Sequence, residues 1–194
     1  MADDDGRPIF YYDLGSPYAW LAAERINALF PVVPVWEPIL LGALFKRFGR
    51  DSWANGPERE EGIREVERRA ASRGLPAVRW PEPWPGNMLA AMRAAVFAKQ
   101  SGRAVAFSLA AFRQAYAGGR DLGDVDNVLV AGAACELHPN AVLKGIEGRT
   151  VKDALRAATD EAGDRGVIGV PSVVVGEQVF WGDDRLEEAA AAAR

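Results

Sequence analysis

Apolar positions along this chain change period three times. Pro8–Asp13 is continuously apolar and aromatic, short, and ended by Gly15, as a buried strand is. From Tyr18 to Phe30 the apolar residues fall at helical spacing, through Leu21, Ala22, Ile26 and Leu29, and stop before Pro31. Ser16 stands where a helix cap belongs and Pro17 at the first helical position, both favoured start signals. Val32–Leu41 reads as a second strand, with Pro34 and Pro38 marking its ends or an irregular edge. A strand, a helix and a strand in so short a stretch predict a right-handed crossover with parallel strands.

From Gly42 to about Gly148 the pattern is helical, with no convincing strand. Glu58–Arg73 is a charged helix with a narrow stripe of Ile63, Val66 and Ala70, and its Glu and Arg residues make a solvated face. Trp80-Pro81-Glu82-Pro83-Trp84-Pro85 is a stiff connector that regular helix cannot accommodate. Further helices are expected over Asn87–Gln100, Ala104–Tyr116, Asp126–Leu137 and Asn140–Ile146. The last segment returns to mixed structure. A helix over Thr150–Ala162 has Thr150 as its expected cap. A strand follows Pro171, Gly176-Glu177 makes a hairpin turn, Gln178–Trp181 returns, and a final helix is expected from Asp183-Asp184 to Ala193. The expected architecture is an α/β fold: residues 1–42 and 149–194 form a small mixed sheet with its helices, interrupted by a helical insertion at 43–148.

Composition removes several function classes. A net charge of -4 and a pI near 5.2 disfavour nucleic acid as a partner. No apolar run approaches the ~18 residues of a membrane span. The start, Met1-Ala2-Asp3-Asp4-Asp5-Gly6, is acidic rather than leader-like, so a cytoplasmic location is expected. One cysteine, Cys135, forbids an internal disulfide and a Cys-rich zinc site. One histidine, His138, argues against a Ser-His-Asp hydrolase and a two-histidine metal site, so no metal is expected. A buried structural cysteine and a helix-end histidine account for both residues.

Three short motifs carry candidate chemistry. Ser16-Pro17-Tyr18-Ala19 joins the first strand to the first helix; taken by itself, Ser16 is a plain helix cap. Gly169-Val170-Pro171-Ser172 precedes a strand, and Val170-Pro171 is a candidate cis bond that would leave Val170 backbone groups for an extended peptide. Trp181-Gly182-Asp183-Asp184 places a glycine and acidic residues at a helix start. Free amides there suit a carboxylate, and an Asp side chain suits an ammonium, together matching a γ-glutamyl end. Simple capping by Asp183 is the alternative.

With Asp13-Leu14-Gly15-Ser16-Pro17-Tyr18, Gly169-Val170-Pro171-Ser172 and Trp181-Gly182-Asp183-Asp184-Arg185-Leu186 in this order, nearly the whole chain resembles the DsbA-like branch of the thioredoxin superfamily. Within it the resemblance is to the glutathione-dependent group of 2-hydroxychromene-2-carboxylate isomerases and kappa-class glutathione transferases. Pro38-Ile39-Leu40-Leu41-Gly42 and Asn87-Met88-Leu89-Ala90-Ala91-Met92-Arg93 add to it. The resemblance implies a thioredoxin-like sheet with an all-helical insertion, bound glutathione or a related low-molecular-weight thiol, and a homodimer. It implies that Ser16 holds the thiol sulfur and that Val170 and Pro171 pair with its cysteinyl backbone, with Gly182, Asp183 and Asp184 holding the γ-glutamyl end. Tyr18, Trp53, Trp84 and Asn87 are expected around a small aromatic substrate, although packing of the proline-rich connector also accounts for Trp84.

A free thiol has a pKa of about 8.5. A hydroxyl bond to the thiolate adds roughly 1.5–3 kcal/mol, or about 1–2 pKa units, and a helix N-terminus roughly 0.3–1 kcal/mol more. Thiolate then becomes a major species near neutrality. With no histidine beside it in sequence, Ser16 is better suited to donate a hydrogen bond than to attack as a nucleophile. The expected activity is a glutathione-dependent isomerase of aromatic, 2-hydroxychromene-2-carboxylate-like substrates. The alternatives are a kappa-like transferase and, in another class, a non-catalytic thioredoxin-like peptide-binding module. Disulfide exchange needs a protein thiolate at positions where this chain has Ser16 and Ala19. One departure stands out: the family's Gly-Asn step after the second strand reads Gly49-Arg50 here, and an arginine there can still meet a carboxylate.

Overall fold

The computed structural model describes residues 6–194, so the acidic Met1–Asp5 segment lies outside the described residues. Strand β1 (Ile9–Tyr12) pairs in parallel with β2 (Val35–Pro38) through the helix α1 (Pro17–Leu29), as the sequence pattern predicts. Strand β3 (Ser172–Val175) runs antiparallel to β1, and β4 (Gln178–Trp181) antiparallel to β3, in the sheet order β2-β1-β3-β4. Both faces of β1 are buried. Phe10 and Tyr12 meet Trp36 edge-on, at 5.0 and 5.5 Å between ring centroids, and Tyr12 also meets Phe112 of the insertion at 5.9 Å. Tyr11 points into a second core with Ile39, Val167 and Val174. Such two-sided burial explains why the strand is continuously apolar rather than alternating. The Tyr12 hydroxyl shares a 2.6 Å hydrogen bond with Ser108, giving its buried polar end a partner.

No strand lies between residues 42 and 148. The segment holds α2 (Leu41–Phe48), a 3-10 turn at Trp53–Asn55, α3 (Arg59–Ser72), α4 (Leu89–Gln100), α5 (Ala104–Tyr116), α6 (Val125–Ala133) and α7 (Pro139–Glu147). Ala91, Ala94, Ala95 and Ala98 of α4 are fully buried; with no side chain beyond Cβ they let neighbouring helices approach closely. Helix α8 (Arg149–Asp164) then returns to the sheet, and α9 (Leu186–Ala192) closes the chain.

Several boundaries differ from the expected ones. The second strand is only Val35–Pro38, and Leu41 already begins α2, whose end is fixed by Gly49 in the left-handed region at φ 62°. Thr150 does not cap α8, which starts one residue earlier with Gly148 at the cap position. The final helix begins at Leu186, not at Asp183, because Gly182 takes φ 122° and turns the chain first. His138 caps the start of α7, its Nδ1 accepting from the Asn140 amide at 3.2 Å. Cys135 follows α6, and burial pushes its thiol pKa up. Among the described residues no helix is long and apolar enough to cross a membrane.

Candidate functional site

The C-terminal ends of β1, β2 and β4 and the start of β3 lie at one end of the sheet, because Tyr12 is in register with Pro38, Tyr11 with Ser172, and Ser172 with Trp181. The loops that leave these ends therefore converge. They bound a cavity of about 960 Å³, roofed by α3 and the proline-rich connector. Every residue expected from the sequence to bind the thiol or the substrate lines it. Ser16 and Tyr18 come from the first turn, Val170 and Pro171 from the loop before β3, and Gly182, Asp183 and Asp184 from the turn after β4. Trp53, Trp84 and Asn87 come from the insertion.

Ser16 is 5% exposed and caps α1: its Oγ accepts from the Ala19 amide at 3.2 Å. Capping uses a lone pair and leaves the hydroxyl proton available. Among the described residues the proton faces only the Val170 carbonyl, at 3.5 Å, the outer limit of a hydrogen bond. The capping role and the donor role thus use different parts of one hydroxyl. Val170-Pro171 is cis. Ser172 Oγ, donating to the Gly169 carbonyl at 2.7 Å, closes that loop, and the Gly182 amide donates to the Pro171 carbonyl at 2.9 Å.

The opposite wall is aromatic. Tyr18, Trp53, Trp84 and Trp80 form a chain of ring contacts at 5.8, 5.4 and 4.5 Å. Trp84 is the buried back of this wall, while Tyr18 and Trp53 are half-buried and front it. Gly62 of α3 is what lets Trp53 lie there, since a Cβ at that position would sit 2.3 Å from the indole. Asn87 is exposed; its Oδ1 accepts from the Leu89 amide at 3.0 Å, which leaves its amide NH2 as the donor available to a ligand. Burial raises the Tyr18 pKa, against the opposing charge of Arg69, so the phenol stays protonated and able to donate at neutral pH.

Asp183 and Asp184, adjacent in sequence, have different environments. Asp183 is 1% exposed, and its carboxylate is held by α3: Arg69 Nη1 donates to Oδ1 at 2.6 Å, and Arg73 Nη2 lies 2.6 Å from Oδ2. The Arg73 contact pairs charges without aligned hydrogen-bond geometry, since Oδ2 makes no hydrogen bond among the described residues. Asp184 is exposed to the cavity and has no ion pair among the described residues. Gly182 takes φ 122°, which favours glycine, and a Cβ there would also meet the exposed Asp184 Oδ1 at 2.4 Å and push that carboxylate aside.

A family model for the DSBA-like thioredoxin domain matches residues 9–193. The chain belongs to that DsbA-like thioredoxin family. It is also 26% identical over 190 residues to a 2-hydroxychromene-2-carboxylate isomerase of Sphingobium xenophagum, covering 92% of this chain and 93% of that one. Among solved structures, a 2-hydroxychromene-2-carboxylate isomerase aligns with a TM-score of 0.86 at 19% identity, over 95% of this chain and 93% of the other. A probable DsbA oxidoreductase from Streptomyces coelicolor aligns with a TM-score of 0.73 at 22% identity, over 96% and 88%. These two structural likenesses show the fold.

With a single cysteine the chain has no cysteine pair of its own for dithiol exchange. The only cysteine, Cys135, is buried and does not line the cavity. Two features of this DsbA-like site went unread in the sequence. Asp13 is buried and joins the two turns: Oδ1 accepts from the Gly15 amide and Oδ2 from the Leu41 amide, each at 2.8 Å. Burial raises its pKa, and the two amide bonds oppose that shift. Its signal was an acidic residue ending an aromatic strand, a place where water is scarce. Arg69 and Arg73 belong to a helix whose local pattern is that of a solvated face, and nothing local marks them as partners of a residue more than a hundred positions away.

Proposed function

We propose that this protein is a glutathione-dependent isomerase of aromatic, 2-hydroxychromene-2-carboxylate-like substrates. The observation that carries the reading is the Ser16 hydroxyl. It sits buried at the start of α1 on the wall of a substrate-sized cavity, with its proton facing no closer acceptor than a carbonyl at 3.5 Å. Such a donor suits an anionic sulfur, and the chain places no thiol of its own in the cavity, where its only sulfur is the Met88 thioether. The similarity to the Sphingobium isomerase supports the same reading.

The residues present fit a γ-glutamyl-cysteinyl thiol. The Gly182 amide is taken by the Pro171 carbonyl, so the turn offers a carboxylate the Asp183 and Asp184 amides instead, and Asp184, lacking an ion pair among the described residues, suits the ammonium. Asp183 supports that turn through its arginines rather than meeting the ligand with its carboxylate. Val170 supplies backbone for the cysteinyl unit. When bound, the thiol supplies a nucleophile that can add to a conjugated substrate and later be eliminated. Ser16 stabilises the charge on sulfur and holds its position, and the α1 N-terminus adds to the local positive potential. Tyr18 and Trp53 orient an aromatic substrate by ring contact and keep water from that side. A transferase would use the same groups. The deep, aromatic-walled cavity favours a small molecule over the peptide-binding module.

Thermal unfolding tests the binding step. Glutathione at 100 times its dissociation constant adds roughly 2.7 kcal/mol of stability and raises the midpoint. An unchanged midpoint at millimolar glutathione would sink the proposal. Turnover of a chromene carboxylate, with glutathione recovered unconsumed, separates the isomerase from a transferase, which forms a conjugate with chloronitrobenzene.

A further inference from the structure

The charges that line the cavity can be sorted by whether the protein already uses them. Asp13 is committed to two amides. Asp183 is committed to Arg69 and Arg73, and Arg69 to Asp183 and Glu65. Asp51 turns to the Ser52 amide at 2.6 Å and the Asn55 side chain at 3.1 Å. Among the described residues this leaves Asp184 on one side and two cations of the α2 end, Lys46 and Arg50, without a carboxylate partner.

Of the two, Arg50 is held in place. Its guanidinium lies 4.7 Å from the centroid of the Trp181 ring, and Nη1 donates to the Ile168 carbonyl at 3.4 Å. Trp181 is 42% exposed, a large value for an indole. Beneath it is Gly169, where a Cβ would come within 2.8 Å of the indole nitrogen. Guanidinium, indole and glycine backbone thus form a stack beside the cis Pro171 loop, on the cavity's rim. Stacking fixes the plane of a guanidinium while leaving its remaining N–H groups to donate in a fork, the arrangement that receives a carboxylate.

We infer that Arg50, laid over Trp181, forms a carboxylate-binding subsite on the rim of the cavity, with Lys46 adding charge nearby. The carboxylate has two sources, the glycyl end of a peptide thiol or the second substrate. The first deepens the reading above and rests on it; the second stands without it.

Titration calorimetry on the wild type, Arg50→Lys and Arg50→Ala separates them. The probes are glutathione, its glycyl monoethyl ester, 2-hydroxycinnamate and the neutral amide of 2-hydroxycinnamate. Arg50→Ala is expected to weaken at least one carboxylate by about 10- to 100-fold and to leave the counterpart lacking that carboxylate unchanged. Arg50→Lys falls between, since it keeps the charge and loses the fork. A loss confined to glutathione over its ester assigns the peptide end; a loss confined to 2-hydroxycinnamate over its amide assigns the substrate. Should glutathione fail to bind while 2-hydroxycinnamate binds through Arg50, the glutathione reading falls and the subsite stands. Equal affinities of wild type and Arg50→Ala for both carboxylates overturn it, as does failure of the wild type to bind either. Arg50 is exposed, and an unchanged urea midpoint verifies that the variants are folded.

Discussion

Ser16→Ala is expected to lower turnover by roughly 10²- to 10³-fold, the effect of removing one preorganised donor from a developing or resident anion. The same change removes the Ala19 cap bond and costs about 0.5–2 kcal/mol of stability. Loss of activity alone therefore does not separate the donor from the cap. Ser16→Asp does. Aspartate caps a helix as well as serine does, yet at neutral pH it has no proton to donate and sets a negative charge against the sulfur. The variant should unfold close to the wild-type midpoint and be at least as inactive as Ser16→Ala. Full activity in Ser16→Asp, measured alongside urea unfolding, would reduce Ser16 to a cap.

Asp183→Ala should be the most destabilising change in the site, by about 2–4 kcal/mol in urea unfolding. The carboxylate is almost wholly enclosed, and its removal leaves Arg69 with Glu65 alone and strands Arg73, which already has an unpartnered nitrogen, Nη1. Breaking a buried pair from one side leaves uncompensated charge, which costs more than the pair contributed. Asp183→Asn keeps the shape and one acceptor, and should fall between. Both variants should also weaken glutathione, because among the described residues it is this carboxylate that ties the turn carrying the Asp183 and Asp184 amides to α3. A loss below about 0.5 kcal/mol, the range of an ordinary surface substitution, would show that the arginines are not a tie.

Much of this was legible in the chain because the informative signals are local. Ser16-Pro17 is a helix start whatever surrounds it, and the continuous apolar run before it announces a strand covered on both faces. The Pro34 and Pro38 limits of β2 were readable for the same reason: proline cannot extend a ladder. What stayed hidden depends on tertiary partners. Asp183 looked like the cap of a following helix, since an acidic residue before an apolar run has that local appearance. Its partners Arg69 and Arg73 arrive from an insertion whose docking onto the sheet no local pattern encodes. Helix α2 was missed in detail because it is short and follows the strand after two residues, although Gly49 with Lys46 and Arg47 in the preceding turn is a legible stop signal. Asp13 likewise reveals its role only when the start of α2 is placed beside the first turn.

Stabilisation of a borrowed thiolate by Ser16 is read directly by ultraviolet titration of the thiolate absorbance. Cys135 is silent in such a titration near neutrality, because burial raises its pKa. Glutathione bound to the wild type should ionise about 1–2 pH units below the free thiol's value of about 8.5, and in Ser16→Ala it should return most of the way. Affinity should accordingly rise with pH between the bound and the free values in the wild type, since the bound form releases its proton first. A bound thiol that titrates like free glutathione in the wild type, or equally in both proteins, contradicts the claim.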